Sequence, residues 1–91
     1  MTEHARLIVT YATHVKRGDQ VLIMTSDYGL DLASEVYKEA AKLGANPLIV
    51  MTPSEVTRAY YEVTPEDYLD IFPKHLYELT KASDVVFSIR S

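Results

Sequence analysis

The sequence predicts an α/β domain, a small three-layer arrangement in which a parallel sheet of about three strands carries helices on both faces. Three observations point there. Short apolar runs stand at Gln20 to Thr25, Leu48 to Thr52 and Asp84 to Arg90. Segments of helical period alternate with them, and glycines and prolines separate the two kinds.

Leu7, Ile8, Tyr11, Ala12 and Val15 recur at three- and four-residue steps, with Glu3, Arg6, Thr10, His14 and Lys16 mostly between them, which predicts an amphipathic first helix. Gly18 ends it in a left-handed conformation, and Lys16 and Arg17 suit the negative end of the dipole. The run QVLIMT that follows reads as a buried strand. Past the polar gap at Ser26 to Gly29, Leu32, Ala33, Val36, Tyr37, Ala40, Ala41 and Leu43 line one side of the clearest helix, opposite Ser34, Glu35, Lys38, Glu39 and Lys42. Asp27 and Asp31 favour its N-terminus, Gly44 stops it, and Pro47 prevents continuation. Leu48 to Thr52 repeats the buried-strand signature and completes a βαβ unit.

Two short helices are expected next, over Ser54 to Glu62 and again from Thr64-Pro65-Glu66-Asp67, where Thr64 stands as N-cap and Pro65 at the first position. Pro73 interrupts, Lys74 to Ala82 gives one more amphipathic segment, and DVVFSIR reads as a third buried strand. The second and third strands are expected to flank the first, leaving a crevice at the carboxyl ends of the first and third. The expected domain is a single one over residues 1–91, the opening piece of a longer protein.

Composition narrows the function. The 91 residues, 47% hydrophobic and 24% charged, suffice for one modest core. A net charge of −4 gives no basic excess for a phosphate backbone, so no nucleic acid is expected as partner. Without cysteine there is no disulfide, thiol nucleophile or thiolate metal site. No apolar run approaches the length of a membrane span and no signal peptide is visible, so no membrane partner is expected and a cytoplasmic location is.

The residues that carry chemistry elsewhere are poorly placed for it here. The turn Thr25 to Asp31 holds Gly29 alone, where a dinucleotide fingerprint needs three glycines, and Asp27 and Asp31 would repel a polyphosphate. His4, His14 and His75 lack metal-ligand spacing and read as surface histidines. Glu66, Asp67 and Asp70 read as acidic residues of a first helical turn rather than an acid–base pair. Tyr60, Tyr61, Tyr68 and Tyr77 read as core or interface residues. Arg17-Gly18-Asp19 is a helix-ending turn. No catalytic, cofactor-binding or metal-binding residue is assigned within the chain.

Three stretches taken in order, VKRGDQVLI (Val15 to Ile23), EVYKEAAKLGANPLIV (Glu35 to Val50) and SDVVFSIRS (Ser83 to Ser91), resemble the N-terminal region of the thermophilic metalloaminopeptidase family, the aminopeptidase T and aminopeptidase S group. Gly18-Asp19 and Gly44-Ala45-Asn46-Pro47 are the most specific points, and the resemblance runs over the whole chain. It implies hydrolysis of the N-terminal residue from peptides by a divalent metal pair, zinc, cobalt or manganese, that polarises the scissile carbonyl and activates a water. It places the metal ligands in a later, C-terminal catalytic part, so none is carried onto this chain. The implied partners are that catalytic part and, for the whole enzyme, a peptide substrate. An exposed apolar third strand adds the expectation of a homo-oligomer. A second reading is a non-catalytic module binding a small ligand in the crevice at Thr25 to Asp27 and Ser88 to Ser91, and a third is a pure interaction protein.

Overall fold

The computed structural model describes residues 15–89. In order these form β1 (Gln20–Ser26), a 3-10 turn (Asp27–Gly29), α1 (Leu30–Lys42), β2 (Asn46–Thr52), α2 (Ser54–Val63), a second 3-10 turn (Glu66–Tyr68), α3 (Lys74–Lys81) and β3 (Val85–Ser88). All pairings are parallel in the order β2-β1-β3, so the second and third strands flank the first as expected. The expected first helix lies outside the described residues apart from its end, where Val15 is buried in the core.

Two glycines set where the strands begin. Gly18 (φ +86°) and Gly44 (φ +85°) occupy the left-handed region, and each stands two residues ahead of a strand. The Gly18 N–H donates to the Gly44 carbonyl at 2.9 Å, and the Asn46 N–H donates to the Asp19 carbonyl at 2.8 Å. These bonds bring Gln20 opposite Asn46, the first pair of the β1–β2 register. On the other side the Gln20 N–H donates to Asp84 Oδ2 and the Asp84 N–H to the Gln20 carbonyl, both at 2.8 Å. One polar rim thus ties the starts of all three strands.

Alternation along β1 assigns the two faces of the sheet. Val21 and Ile23 join Val15, Phe87 and the α1 residues Ala33, Val36 and Ala40 in the closed core. Leu22, 1% exposed, faces the other way, toward the side where α3 lies. There Leu79 borders two gaps, of ≈ 250 Å³ with Leu48 and Ala82 and of ≈ 300 Å³ with Met24 and Val50. Helices therefore cover both faces, one closely and one loosely.

This asymmetry corrects the expectation that all three strands are buried. Only β1 is buried on both sides; Leu48 in β2 is 49% exposed and Val86 in β3 is 37% exposed. Both belong to edge strands on the loosely covered face, and β3 is shorter than the apolar run suggested. The buried stripe of α1 is also rotated from its expected position: Tyr37, Ala41 and Leu43 are exposed, whereas Glu39 is 7% exposed. The stripe centres on Val36 and Ala40, and Glu39 lies about 60° from Val36 around the axis, near enough to share its cover. Its Oε1 accepts from Lys42 Nζ at 3.4 Å, so the charge is carried to the rim.

Ser54–Val63 is helical as expected, but the second short helix is not formed. Thr64 is extended (φ −81°, ψ 125°), no side chain caps the turn after it, and Glu66–Tyr68 makes a single 3-10 turn. Prolines at 65 and 73 bracket too few residues to propagate a helix beyond its costly nucleus.

Gly44 generates a direct test. A Cβ there would be at positive φ and 3.1 Å from Arg17 Cγ, whereas one at Gly18 would meet nothing within 4 Å. Gly44→Val is expected to lower stability by about 1 kcal/mol or more, and Gly44→Ala to cost more than Gly18→Ala. Thermal melts of the variants check both; an unchanged midpoint for Gly44→Val contradicts the turn assignment.

Candidate functional site

In an open parallel sheet, ligands bind beyond the carboxyl ends of the strands where the strand order reverses. Here that point lies between β1 and β3, since β2 and β3 stand on opposite sides of β1. Gly29 is buried, and a Cβ at this position would collide with Thr25 Oγ1 and come within 2.9 Å of Ile89 Cγ2. Ile89 is held there by its N–H, which donates to the Met24 carbonyl at 2.9 Å. Gly29 thus serves close packing of the turn against β1 and the end of β3. Of the crevice centred on Thr25 to Asp27 and Ser88 to Ser91, Thr25 packs against Gly29, Asp27 and Ser88 are exposed, and Arg90 and Ser91 lie outside the described residues.

Asp27 has a role that its local sequence did not disclose. It opens the 3-10 turn rather than capping α1, whose N-cap is Gly29 with no side-chain bond. Its Oδ1 instead accepts the N–H of Ser54 at 2.7 Å, at the first residue of α2. The carboxylate satisfies one of the orphan donors of that helix and ties the end of β1 to the segment leaving β2. The Ser54 backbone N–H, which favours the charged form, holds the Asp27 carboxyl below its ordinary value. Asp31 stays in the first turn of α1, as expected.

The remaining candidates do not converge on a reaction centre. Among the described residues no three of His, Asp and Glu come together to hold a metal ion, so these residues do not fit the metal pair that the resemblance implies. His4 and His14 lie outside the described residues, and His75 is exposed at the start of α3. Glu66 and Asp67 belong to the exposed 3-10 turn, with Asp70 just past it, and a turn of three residues lacks the helix dipole they were expected to serve. No helix among the described residues is long and apolar enough to cross a membrane.

What the structure does bring together is an aromatic groove. Tyr60 of α2, Tyr68, Ile71 and Phe72 of the connection, and His75 and Glu78 of α3 line an open depression of ≈ 880 Å³. Phe72 and Tyr77 are in ring contact at 5.5 Å, and Tyr60 meets Tyr61 edge-on at 5.2 Å. All four tyrosines singled out in the sequence, Tyr60, Tyr61, Tyr68 and Tyr77, are exposed, which removes the core alternative for them.

The Asp27–Ser54 bond has a pH signature. Because the folded-state value is lowered, the stabilisation it gives is present above the ordinary aspartate range and is lost as pH falls through the lowered value. The Ser54 amide shift, followed by NMR against pH, is expected to titrate below the ordinary aspartate range, and Asp27→Asn to abolish that titration. A midpoint inside the ordinary range contradicts the cap.

No curated protein matches the sequence. Among solved structures, wild-type AmpT from Thermus thermophilus superposes with a TM-score of 0.75 at 23% identity, a likeness of fold. It covers 89% of this chain and 21% of that one, so the chain spans about a fifth of the length of that neighbour. The family model for the thermophilic metalloproteases (M29) matches residues 1–91, from the first residue to the last. With the glycine turns in the places that carried the resemblance, the chain belongs to the thermophilic metalloprotease (M29) family.

Proposed function

We propose that these 91 residues are the N-terminal scaffold part of a metal-dependent aminopeptidase, an enzyme that hydrolyses the N-terminal amino acid from peptides. In this reading the divalent metal pair is bound by residues outside this chain. The carrying observation is the family match over all 91 residues, set beside a structural neighbour of which the chain spans only 21%. One feature of the chain supports a scaffold role: a parallel sheet in the order β2-β1-β3 whose one face α1 closes over a buried core. What the chain contributes is a stiff parallel sheet with one closed face, on which other parts of the enzyme are mounted.

The purified 91 residues are expected to release no nitroaniline from aminoacyl-nitroanilides with zinc, cobalt or manganese present, and isothermal titration is expected to find no tight stoichiometric metal site. A polypeptide of family length that begins with these residues is expected to turn over the same substrates and to lose activity to a chelator. Turnover by the 91 residues alone, or activity of the longer polypeptide that resists chelation, contradicts the reading.

A further inference from the structure

We infer that the segment from α2 to the start of α3 is the surface against which the remainder of the polypeptide docks, the Tyr60, Tyr68, Ile71 and Phe72 groove receiving apolar side chains from it. This rests on the scaffold reading above and adds the place of contact. Two independent observations carry it. First, α2 presents Val56, Tyr60 and Val63 at helical spacing as an apolar stripe, yet no residue of α2 is buried. An amphipathic helix with its apolar stripe uncovered has no packing energy to hold it, and water-exposed stripes of this kind mark association surfaces. Second, the connection that follows adds Ile71 at 67% and Phe72 at 64% exposure to the same groove. Of the fifteen large apolar or aromatic side chains exposed among the described residues, eight lie between Ser54 and Pro73, so the bare area is concentrated rather than scattered. Lys74 and Glu78 give the groove a charged border, the apolar-centre and polar-rim anatomy of a protein contact.

The occupant follows from the length comparison. About four-fifths of the structural neighbour's chain lies outside the part this chain matches. A covalently joined segment faces the groove at an effective concentration on the order of millimolar, which a second copy at cellular concentration does not reach.

Tyrosine footprinting with a radical probe tests this on the family-length polypeptide, at several concentrations, with sedimentation to report its oligomeric state. Tyr60 and Tyr68 are expected to be labelled at least about fivefold more slowly in the native protein than in urea, as water-excluded contacts are, and equally so in the monomer. Ile71→Asp is expected to restore fast labelling of Tyr68 while Leu22 keeps its slow amide exchange, which separates undocking from unfolding. Fast labelling in the native protein overturns the inference, as does protection that appears only with dimer formation, which assigns the groove to a second copy. Aminopeptidase activity measured on the same sample separates the two readings: an active enzyme with fast labelling loses the docking surface alone, and an inactive one with protected tyrosines loses the scaffold assignment alone.

Discussion

The hydrogen bond from the Gly18 N–H to the Gly44 carbonyl is the constraint on which the rest of the sheet depends. A parallel strand pair has no tight hairpin to fix its register, because the two strands are joined through a distant crossover. Here the register is set at the entry turns instead. Each turn places a left-handed glycine two residues before its strand, and the bond between them starts β1 and β2 level, Gln20 against Asn46. Slippage by one residue would move Val21 and Ile23 to the face of Leu22 and expose the closed core. The Asp84–Gln20 exchange of hydrogen bonds does the same for β3 from the other side.

From this register the two faces diverge. On the α1 side, small residues at Ala33 and Ala40 let the helix approach the sheet, and Val36, Val21, Ile23 and Phe87 close the core. On the α3 side the cover is partial, with Leu79 between two gaps and Leu48 half bare. The connection between β2 and α3 is held to the strand ends by the Asp27–Ser54 bond, and its own helix buries nothing. Stability is therefore concentrated in β1 and α1, while the apolar surface available for further contact is concentrated in the long connection.

How much of this was legible in the sequence follows from how local each determinant is. Gly18 and Gly44 could be read because only a residue without a Cβ takes positive φ cheaply, and α1 because its period extends over three turns. The sheet order followed from the alternation of apolar runs and helices. The burial of Glu39 was not legible, since it depends on how far the stripe is rotated against the sheet. The exposure of Leu48 and Val86 was not legible either, because an edge strand with one thin cover has the same apolar spelling as a central one. Asp27 was placed as a cap by its own neighbourhood, whereas its acceptor role is toward Ser54, 27 residues away, and no local pattern encodes that distance. No functional residue emerged from the sequence; the groove of Tyr60, Tyr68, Ile71 and Phe72 appeared only when the connection was folded back on α3.

Amide hydrogen exchange on the 91-residue chain, resolved by residue, tests most directly whether the sheet built on β1 carries the fold and the long connection does not. Leu22 and Ile23, paired on both sides and buried, are expected to exchange slowest, followed by the buried turns of α1. Amides of Ser54–Val63 exchange orders of magnitude faster, because that helix buries no side chain. Protection of Ser54–Val63 equal to that of β1 would contradict it, since the connection would then belong to the same cooperative unit as the sheet.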